Sequence, residues 1–427
     1  MKITIVLPVY WPAVGGCEIH TRELVRRLSA AHSLRVVTLI NSQAAKFGME
    51  LWFACVLRAP READRYRDDG AEVVRLPLKS WEKGWLFPLV RMQSPKLPAR
   101  LTAAAMEELT DRYATGLLPW IEGSDLVHSV HGGVSFLGYA ALKAARRLGL
   151  PFAYTPVLHL PHPGNGAADG PAKEPDPHLS PRGWSDPVWK RLTEEADFLF
   201  TMTEFERGFF IRKGRSPETV KAVGVGPMVT PVEPARRSEC LRKFELAGRD
   251  FVLFVGRNLP YKGIGVVLEA APLVWERNPE ILFVFAGPKE GDADAIFARH
   301  RDSRVRVLGY VSDEEKSVLL DACTLFCMPS TQESLGGTFL EAWWFRKPVI
   351  GARIGPLEEL AGDGEGGFLV RSEPGEVAGK ILLLLEAPAL RDRMGAWGRQ
   401  RVESRYTWEA IARTVESAYR QMVGRNG

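Results

Sequence analysis

Two glutamates in an otherwise apolar stretch are the first residues whose spacing suggests chemistry. Glu333 and Glu341 lie eight positions apart in residues 331–345, TQESLGGTFLEAWWF, with Gly336 and Gly337 between them. A hydrophobic core does not need carboxylates. If a strand ends before Glu333 and a helix begins near Gly336, the N–H groups at that helix start can face an anion. A carboxylate at Glu341 could then accept hydrogen bonds from neighbouring hydroxyls, as a ribose offers. The alternative is that Glu333 caps its own helix and Glu341 is exposed.

Two cations follow a predicted buried strand in the same half of the chain. Arg257 and Lys262 lie in the loop after FVLFVG, residues 251–256. Surface charges are common at such turns, so the two cations alone are a weak signal. Ligands of open α/β sheets, however, bind beyond the carboxyl ends of the strands, where both glutamates are also expected. Cations beside a glycine-rich helix start are suited to binding a diphosphate.

A glycine pair and a histidine pair occur at the ends of predicted strands in the first half. Gly15 and Gly16 separate the first strand from a helix that begins near Glu18. Their spacing is not the G-x-G-x-x-G of dinucleotide-binding proteins, so it indicates only a close approach of the backbone to a ligand. His128 and His131 lie at a later strand end. A structural role and a catalytic or substrate-orienting role are equally open for these histidines.

Short apolar runs alternate with longer amphipathic segments along the whole chain, which predicts parallel sheets covered by helices. The segment 223–239 contains three prolines and two glycines, which interrupt any regular element, and it predicts a domain boundary near residue 230. The predicted strands are residues 3–7, 35–39, 72–76, 125–130, 152–156, 198–203, 251–256, 281–287, 305–309, 325–330, 348–352 and 367–370.

Length and composition indicate an ordinary globular protein with two domains. The chain has 427 residues, of which 45% are hydrophobic and 25% charged. A formal net charge of only +4 argues against a nucleic-acid partner. The five cysteines have neither metal-ligand spacing nor a disulfide pattern. The N-terminus does not match a secretory signal, and no apolar run reaches the roughly 18 residues that span a bilayer. We therefore expect a cytoplasmic protein.

Two stretches fit neither predicted sheet. Residues 79–100 combine Trp81, Trp85 and Phe87 with five basic residues. They predict either aromatic side chains packed on the domain or a peripheral contact with the inner face of a membrane or with an acceptor. Residues 160–184 are rich in Pro and Gly and predict a long loop. A mobile loop over a site and a simple surface loop are equally open.

Five motifs, taken in order, resemble the large retaining glycosyltransferase family 4. They are FVGRNLPYKG, ILFVFAG, VRVLGYVSDEE, PSTQESLGGTFLEAWWFRKPVIGARIGPLEEL and GFLV, and the match covers nearly all of residues 251–410. The resemblance is thinner in the first half. It implies the GT-B fold, with two Rossmann-like domains facing each other. The implied parts are an acceptor-binding domain at 1–230, a donor-binding domain at 231–407 and a helix at 408–427 that returns to the first domain.

The resemblance also implies roles for individual residues. Arg257 and Lys262 would bind the donor diphosphate, Glu341 the ribose and Glu333 the transferred sugar. An acceptor-side histidine is expected at the strand end of His128, where the spacing HSVH leaves the choice of histidine open. The implied catalytic residues are Glu333, His131, Arg257 and Lys262. The implied donor-binding residues are Gly16, Arg257, Lys262, Gly287, Tyr310, Val311, Glu333, Leu335, Gly336, Gly337, Thr338 and Glu341. The implied acceptor-side residues are His128, His131 and His159.

The predicted function is transfer of a sugar from a UDP- or GDP-sugar to an acceptor hydroxyl of a sugar, lipid-linked or small-molecule acceptor, with retention at the anomeric carbon. The two cations and the helix start would take the place of a metal ion, so no metal and no cofactor are expected. A sugar-nucleotide epimerase of the same architecture is the alternative enzyme. A non-enzymatic sugar-binding protein is a further alternative, which the cations disfavour.

Overall fold

The computed structural model describes residues 1–13, 15–42, 49–91, 99–130, 135–158 and 187–426. These residues form two compact units. The first contains the described residues up to 223 and those from Trp408 onwards, and the second contains residues 224–407. The chain passes from the first unit to the second between Val223 and Gly224, within the Pro- and Gly-interrupted stretch.

The described part of the first unit is built on one eight-stranded sheet with the order β3-β4-β2-β1-β5-β6-β7-β8. Its strands are β1 (Lys2–Val6), β2 (Ser33–Thr38), β3 (Asp64–Asp68), β4 (Ala71–Arg75), β5 (Leu126–Val130), β6 (Phe152–Thr155), β7 (Phe198–Thr201) and β8 (Val220–Ala222). Neighbouring strands are parallel except for the hairpin of β3 and β4. The sequence did not predict β3, because an edge strand that reads DRYRD lacks apolar alternation.

Helices α1 to α7 belong to the first unit. Helix α1 buries His20, Thr21, Leu24, Val25 and Leu28, which lie on one face at helical spacing. The helices are α1 (Gly16–Leu28), α2 (Met49–Leu57), α3 (Ser80–Arg91), α4 (Ala99–Ile121), α5 (Ser135–Arg147), α6 (Pro187–Glu195) and α7 (Glu204–Arg212).

The second unit has a six-stranded parallel sheet with the order β11-β10-β9-β12-β13-β14. Its strands are β9 (Phe251–Val255), β10 (Leu282–Ala286), β11 (Val305–Gly309), β12 (Leu325–Met328), β13 (Val349–Ala352) and β14 (Gly367–Val370). Numbered within the sheet, the order is 3-2-1-4-5-6, which is the doubly wound arrangement. Every strand predicted from the sequence is present, and the predicted α/β class is confirmed.

The remaining helices cover this second sheet, except for the last one. They are α8 (Pro234–Lys243), α9 (Ile264–Trp275), α10 (Ala293–Arg299), α11 (Asp313–Ala322), α12 (Gly337–Trp344), α13 (Gly355–Ala361), α14 (Pro374–Glu386), α15 (Pro388–Arg405) and α16 (Trp408–Asn426).

The last helix, α16, belongs to the first unit, where it packs against α1. An ion pair joins Arg27 Nε to Glu409 Oε1 at 3.0 Å, and His32 Nε2 lies 2.9 Å from Glu416 Oε1. The first unit is therefore built from two separate parts of the sequence, one before and one after the second unit.

Candidate functional site

The topological switch point of the second sheet lies between β9 and β12, which are neighbours in the sheet but not in the sequence. The loops that leave these strands at the same edge contact each other. The backbone N–H of Thr331 donates to the Tyr261 carbonyl at 2.8 Å. Gly263 has a φ of +87°, and a Cβ there would lie 2.7 Å from the Pro329 carbonyl oxygen. Glycine is thus required for the close approach of the two loops, which together form one rim.

Glu333 lies on this rim and is bound by both loops. Its Oε1 accepts hydrogen bonds from Lys262 Nζ at 2.7 Å and from Ser330 Oγ at 2.8 Å. The residue is only 6% exposed. Its Oε2 accepts no hydrogen bond from the residues that the structure describes. The protein therefore fixes the carboxylate through one oxygen, and the other has no hydrogen-bond partner among the described residues.

Arg257 is held at the end of β9 by two neighbours. Its Nη1 lies 3.2 Å from Glu290 Oε2, and its Nη2 donates to the Tyr261 hydroxyl at 3.1 Å. The Arg257 side chain remains 27% exposed. Lys262 lies on the same loop, so the structure brings both predicted cations to one rim.

Helix α12 begins at this rim without a side-chain cap. Its N-cap residue, Gly336, has a φ of +92°, and a Cβ there would lie 2.8 Å from Leu357 Cδ2. No side chain of the N-cap bonds to the first-turn N–H groups, and of these the Phe339 N–H donates to the Gly336 carbonyl at 2.9 Å. Thr338 lies in this first turn, and Leu335, just before it, is buried.

Glu341 lies in α12 and is buried, so the alternative in which it is exposed is wrong. Its Oε1 accepts hydrogen bonds from Lys316 Nζ at 2.9 Å and from the Met228 N–H at 3.3 Å. Although burial acts to lower it, the pKa of Lys316 is raised by the Glu341 and Asp313 carboxylates. No hydrogen bond to Oε2 of Glu341 occurs within the described ranges. As in Glu333, one carboxylate oxygen accepts hydrogen bonds from the protein, and the other accepts none from the described residues.

Sequence reasoning missed Lys316 and Ser330, which position the two glutamates. Lys316 is separated from Glu341 by 25 positions, and no local pattern connects them. A usable signal exists for Ser330, because it lies at i−3 from Glu333 and two residues after a buried strand.

The other donor-binding residues predicted in the second unit lie beyond β10 and β11. Gly287 has a φ of +131°, and a Cβ there would overlap the Gly256 carbonyl oxygen, so the ends of β9 and β10 can approach only with glycine. Tyr310 and Val311 follow β11, and Tyr310 is 79% exposed. A ring this exposed on the ligand edge has a free face for stacking.

In the first unit, Gly15 and Gly16 lie at the start of α1. Gly15 is the N-cap and provides no side-chain cap. A Cβ on Gly16 would meet nothing within 4 Å inside the described chain. The Glu18 carboxylate folds back over Gly15, and burial raises the pKa of Glu18 to about 7.

The interpretation of His128 as an acceptor-side residue is corrected by its surroundings. His128 lies inside β5 and is fully buried. Its Nδ1 lies 2.6 Å from the Tyr419 hydroxyl of α16, and its Nε2 lies 2.8 Å from Thr155 Oγ1. Burial lowers the pKa of His128 to about 3. With both nitrogens bound inside the unit, His128 has a structural role. His131 and His159 lie outside the described residues, as does the segment 160–184.

The described ranges contain no cluster of three or more metal-ligating side chains, and no helix in them is long and apolar enough to cross a bilayer. The five cysteines are free thiols.

The chain matches two family models of glycosyl transferases. Residues 239–401 match the model of the glycosyl transferases group 1, and residues 15–226 match that of a glycosyl transferase 4-like domain. The alpha-D-kanosaminyltransferase of Streptomyces kanamyceticus is 30% identical over 192 residues, which cover 44% of this chain and 50% of that protein. The D-inositol 3-phosphate glycosyltransferase of Frankia alni is 28% identical, with 95% of this chain and 94% of that protein covered.

Among solved structures, Anabaena Alr3699/HepE in complex with UDP-glucose superimposes with a TM-score of 0.66. It is 18% identical, and the alignment covers 99% of this chain and 100% of that one. The fold is therefore of the GT-B class. Because the two family models together span most of the sequence, the chain belongs to the group 1, family 4-like glycosyltransferases. It spans about half the length of the first of the curated relatives that it matches.

Proposed function

We propose that this protein transfers a sugar from a nucleoside-diphosphate sugar to an acceptor hydroxyl, with retention at the anomeric carbon and without a metal ion. The observation that carries the proposal is the Lys262–Glu333 pair beside the uncapped start of α12. Within the described residues it combines a cation, a carboxylate with one unbonded oxygen and a helix start without a side-chain cap on a single rim. A diphosphate linked to a sugar needs this combination.

Arg257, Lys262 and the start of α12 stabilise the leaving group in the proposed reaction. The bond between the anomeric carbon and the diphosphate oxygen breaks, and positive charge develops on the sugar while negative charge develops on the diphosphate. Fixed cations and N–H groups lower the energy of that charge without reorganising during the reaction. The acceptor oxygen bonds to the anomeric carbon on the same face. Its proton passes to a diphosphate oxygen, and the products are a glycoside and a nucleoside diphosphate.

The two glutamates bind different parts of the donor in this proposal. Glu333, which is bonded to Lys262, receives hydroxyls of the transferred sugar on Oε2. Glu341 lies further along α12 and is held by Lys316 of α11. It receives the ribose hydroxyls. Each carboxylate is oriented by the protein before the ligand arrives, so little side-chain entropy is lost on binding.

We propose a UDP-sugar as the first donor to test and a polyol or sugar as the acceptor. Support comes from the UDP-glucose in the Anabaena structure and from the D-inositol 3-phosphate in the name of the Frankia relative. A GDP-sugar is the competing donor. On the acceptor side, His131 and His159 remain expectations from the family resemblance.

We also propose that α3 contacts a membrane surface or a lipid-linked acceptor. Trp81 and Trp85 are one helical turn apart and are 66% and 49% exposed. The Arg112 guanidinium lies 5.6 Å from the centre of the Trp81 ring, and exposed indoles beside a cation suit an anionic interface. Sedimentation with anionic vesicles should carry down the parent chain and leave the Trp81→Ala/Trp85→Ala variant in solution. Equal sedimentation of both chains would contradict this contact.

The main experiment incubates the chain with UDP-, GDP- and ADP-sugars and a panel of polyol and sugar acceptors. Release of nucleoside diphosphate that requires the acceptor is expected, and the anomeric proton coupling of the product gives the stereochemistry. An inverted product would overturn the retaining mechanism. Conversion of the donor into an epimeric nucleotide sugar without any acceptor would show an epimerase activity instead of the proposed transferase activity.

A further inference from the structure

A polar cavity of about 620 Å³ lies in the first unit. It opens at the starts of β1 and β2, on the edge of the sheet opposite to the Gly15–Gly16 loop, which follows the end of β1. Its volume is that of a small-molecule site. The charged side chains around it are Lys2, Arg35, Arg65, Arg67, Glu72 and Glu122.

The positive charges of this cavity are not all neutralised by protein. Glu72 lies 2.8 Å from Arg35 Nε and 3.6 Å from Arg65 Nη1, so one carboxylate serves two guanidiniums. Arg67 stands directly opposite Glu72 in the β3–β4 register, yet it forms no ion pair with any described residue. The Lys2 ammonium likewise has no carboxylate partner in the described chain. The cavity therefore keeps a surplus of positive charge.

Two of the three arginines, Arg35 and Arg65, are supported by neighbouring elements, whereas Arg67 is exposed. Arg35 Nη1 donates to the Trp120 carbonyl at 2.7 Å, at the end of α4. The Arg65 guanidinium lies 4.7 Å from the centre of the Trp120 ring. Adjacent strands in fixed register thus present guanidiniums whose planar forks match the oxygens of a phosphate. The Arg65 side chain is 59% exposed, so its guanidinium remains open to a ligand.

We propose that this cavity binds a phosphorylated small molecule, with the phosphate on Arg67 and Arg65. A phosphate alone is too small for the cavity, so the ligand is a phosphomonoester with a polar organic part. Glu122 and the Ser124 hydroxyl, which lie at the turn after α4, are suited to the hydroxyls of that part. The site belongs to the first unit, whereas the proposed diphosphate cations belong to the second. It stands independently of the transfer reaction.

Isothermal titration of the full chain tests the site with glucose 6-phosphate as the probe, glucose as the uncharged control and inorganic phosphate as the fragment control. The variant is Arg67→Glu. The matched control is Arg61→Glu, which makes the same charge change at an exposed residue of the same unit outside the cavity. Arg67→Gln is a second variant in case the glutamate disturbs the β3–β4 hairpin, and thermal unfolding checks each chain.

We expect the sugar phosphate to bind the parent and Arg61→Glu chains equally, and Arg67→Glu and Arg67→Gln more weakly, by about tenfold or more for the charge reversal. Glucose should give no heat, and inorganic phosphate should bind more weakly than the ester. Equal affinity in the Arg67 and Arg61 variants would overturn the site. Binding of inorganic phosphate as tight as that of the ester would overturn the assignment of a phosphomonoester.

Discussion

His128 of the first unit and Glu333 of the second are both buried polar residues at a sheet, but their surroundings differ. His128 lies within β5, and both of its nitrogens are bonded to side chains of its own unit. Glu333 lies in the loop after β12, and one of its oxygens is bonded while the other is not. Both were predicted as functional because each lies near the carboxyl end of a strand. Only the residue beyond the strand has an oxygen that accepts no hydrogen bond from the described residues.

The physical reason lies in how buried polar groups are stabilised. A polar side chain inside a central strand faces packed helices, so its hydrogen bonds must come from the protein. A polar side chain in a loop past the strand end faces the open edge of the sheet, where a ligand can provide the remaining hydrogen bonds. We therefore expect substitutions at the rim of the second unit to change ligand binding and turnover, and substitutions at His128 to change stability.

The largest effect is expected from the rim cations. Lys262→Ala and Arg257→Ala should each slow transfer by about 100-fold or more, because each removes a fixed charge that stabilises the departing diphosphate. Steady-state rates with the donor found in the screen provide the measurement.

The matched control for these variants is Arg299→Ala, an exposed arginine of the same unit at the end of α10. It should keep the parental rate. Circular dichroism of all three variants should match the parent, since the rim residues are not part of a strand or of the core. Parental turnover in a folded Lys262→Ala chain would exclude the proposed role of this rim.

The next effect separates the two glutamates. Glu333→Ala should lower transfer by about 10- to 100-fold and leave the affinity for the free nucleoside diphosphate nearly unchanged, because a charged hydrogen bond to a sugar hydroxyl contributes roughly 1.5–3 kcal/mol. Glu341→Ala should weaken the nucleoside diphosphate and the full donor equally, since both contain the ribose. Isothermal titration of each variant with each ligand makes the comparison.

Two control variants distinguish ligand contact from support of the fold. Ser330→Ala removes one donor to Glu333 and keeps the carboxylate, so it should reduce transfer less than Glu333→Ala does. Lys316→Met should resemble Glu341→Ala, because the unsupported carboxylate loses its orientation. If Glu333→Ala weakened nucleotide and donor alike, the sugar would not lie where we propose.

The sequence predicted much of the second unit and less of the first, for physical reasons. Five of the six strands of the second sheet are continuous apolar runs such as FVLFVG, which are buried, and the rim residues follow two of them closely. In contrast, β3 is a charged edge strand, and the Lys316–Glu341 pair joins two helices that are distant in the sequence. The hydrogen-bond partner of His128 Nδ1 is Tyr419, which is 291 positions away in the sequence. Local patterns contain no information about such partners.

A smaller, pH-dependent effect is expected at His128. Its pKa falls from 6.5 to about 3 in the folded chain because of burial. Between these values the unfolded chain holds a proton that the folded chain lacks, so the free energy of unfolding falls as the pH is lowered below 6.5. The slope approaches about 1.4 kcal/mol per pH unit for one group. Urea denaturation of the parent and of His128→Gln at a series of pH values should show a shallower slope in the variant.

Tyr419→Phe is the control for this slope, because it removes the hydroxyl that bonds to Nδ1 and keeps the histidine. It should lower the free energy of unfolding at every pH by about 1 kcal/mol and leave the pH dependence largely in place. Identical slopes in His128→Gln and in the parent would show that His128 does not resist protonation in the folded chain.

The smallest effect, no change at all, is expected when divalent ions are removed. Arg257, Lys262 and the start of α12 already place positive charge where the diphosphate is expected, so excess EDTA should leave the transfer rate unchanged. The sharpest control is the double variant Asp292→Asn/Asp294→Asn, because these carboxylates follow β10 with one residue between them and Asp294 is paired with Lys289. This variant should also retain the parental rate. If chelation abolished transfer and Mg²⁺ or Mn²⁺ restored it, the rim cations would not be sufficient. If the double variant in addition lost the response to Mg²⁺, the ion would be assigned to these aspartates.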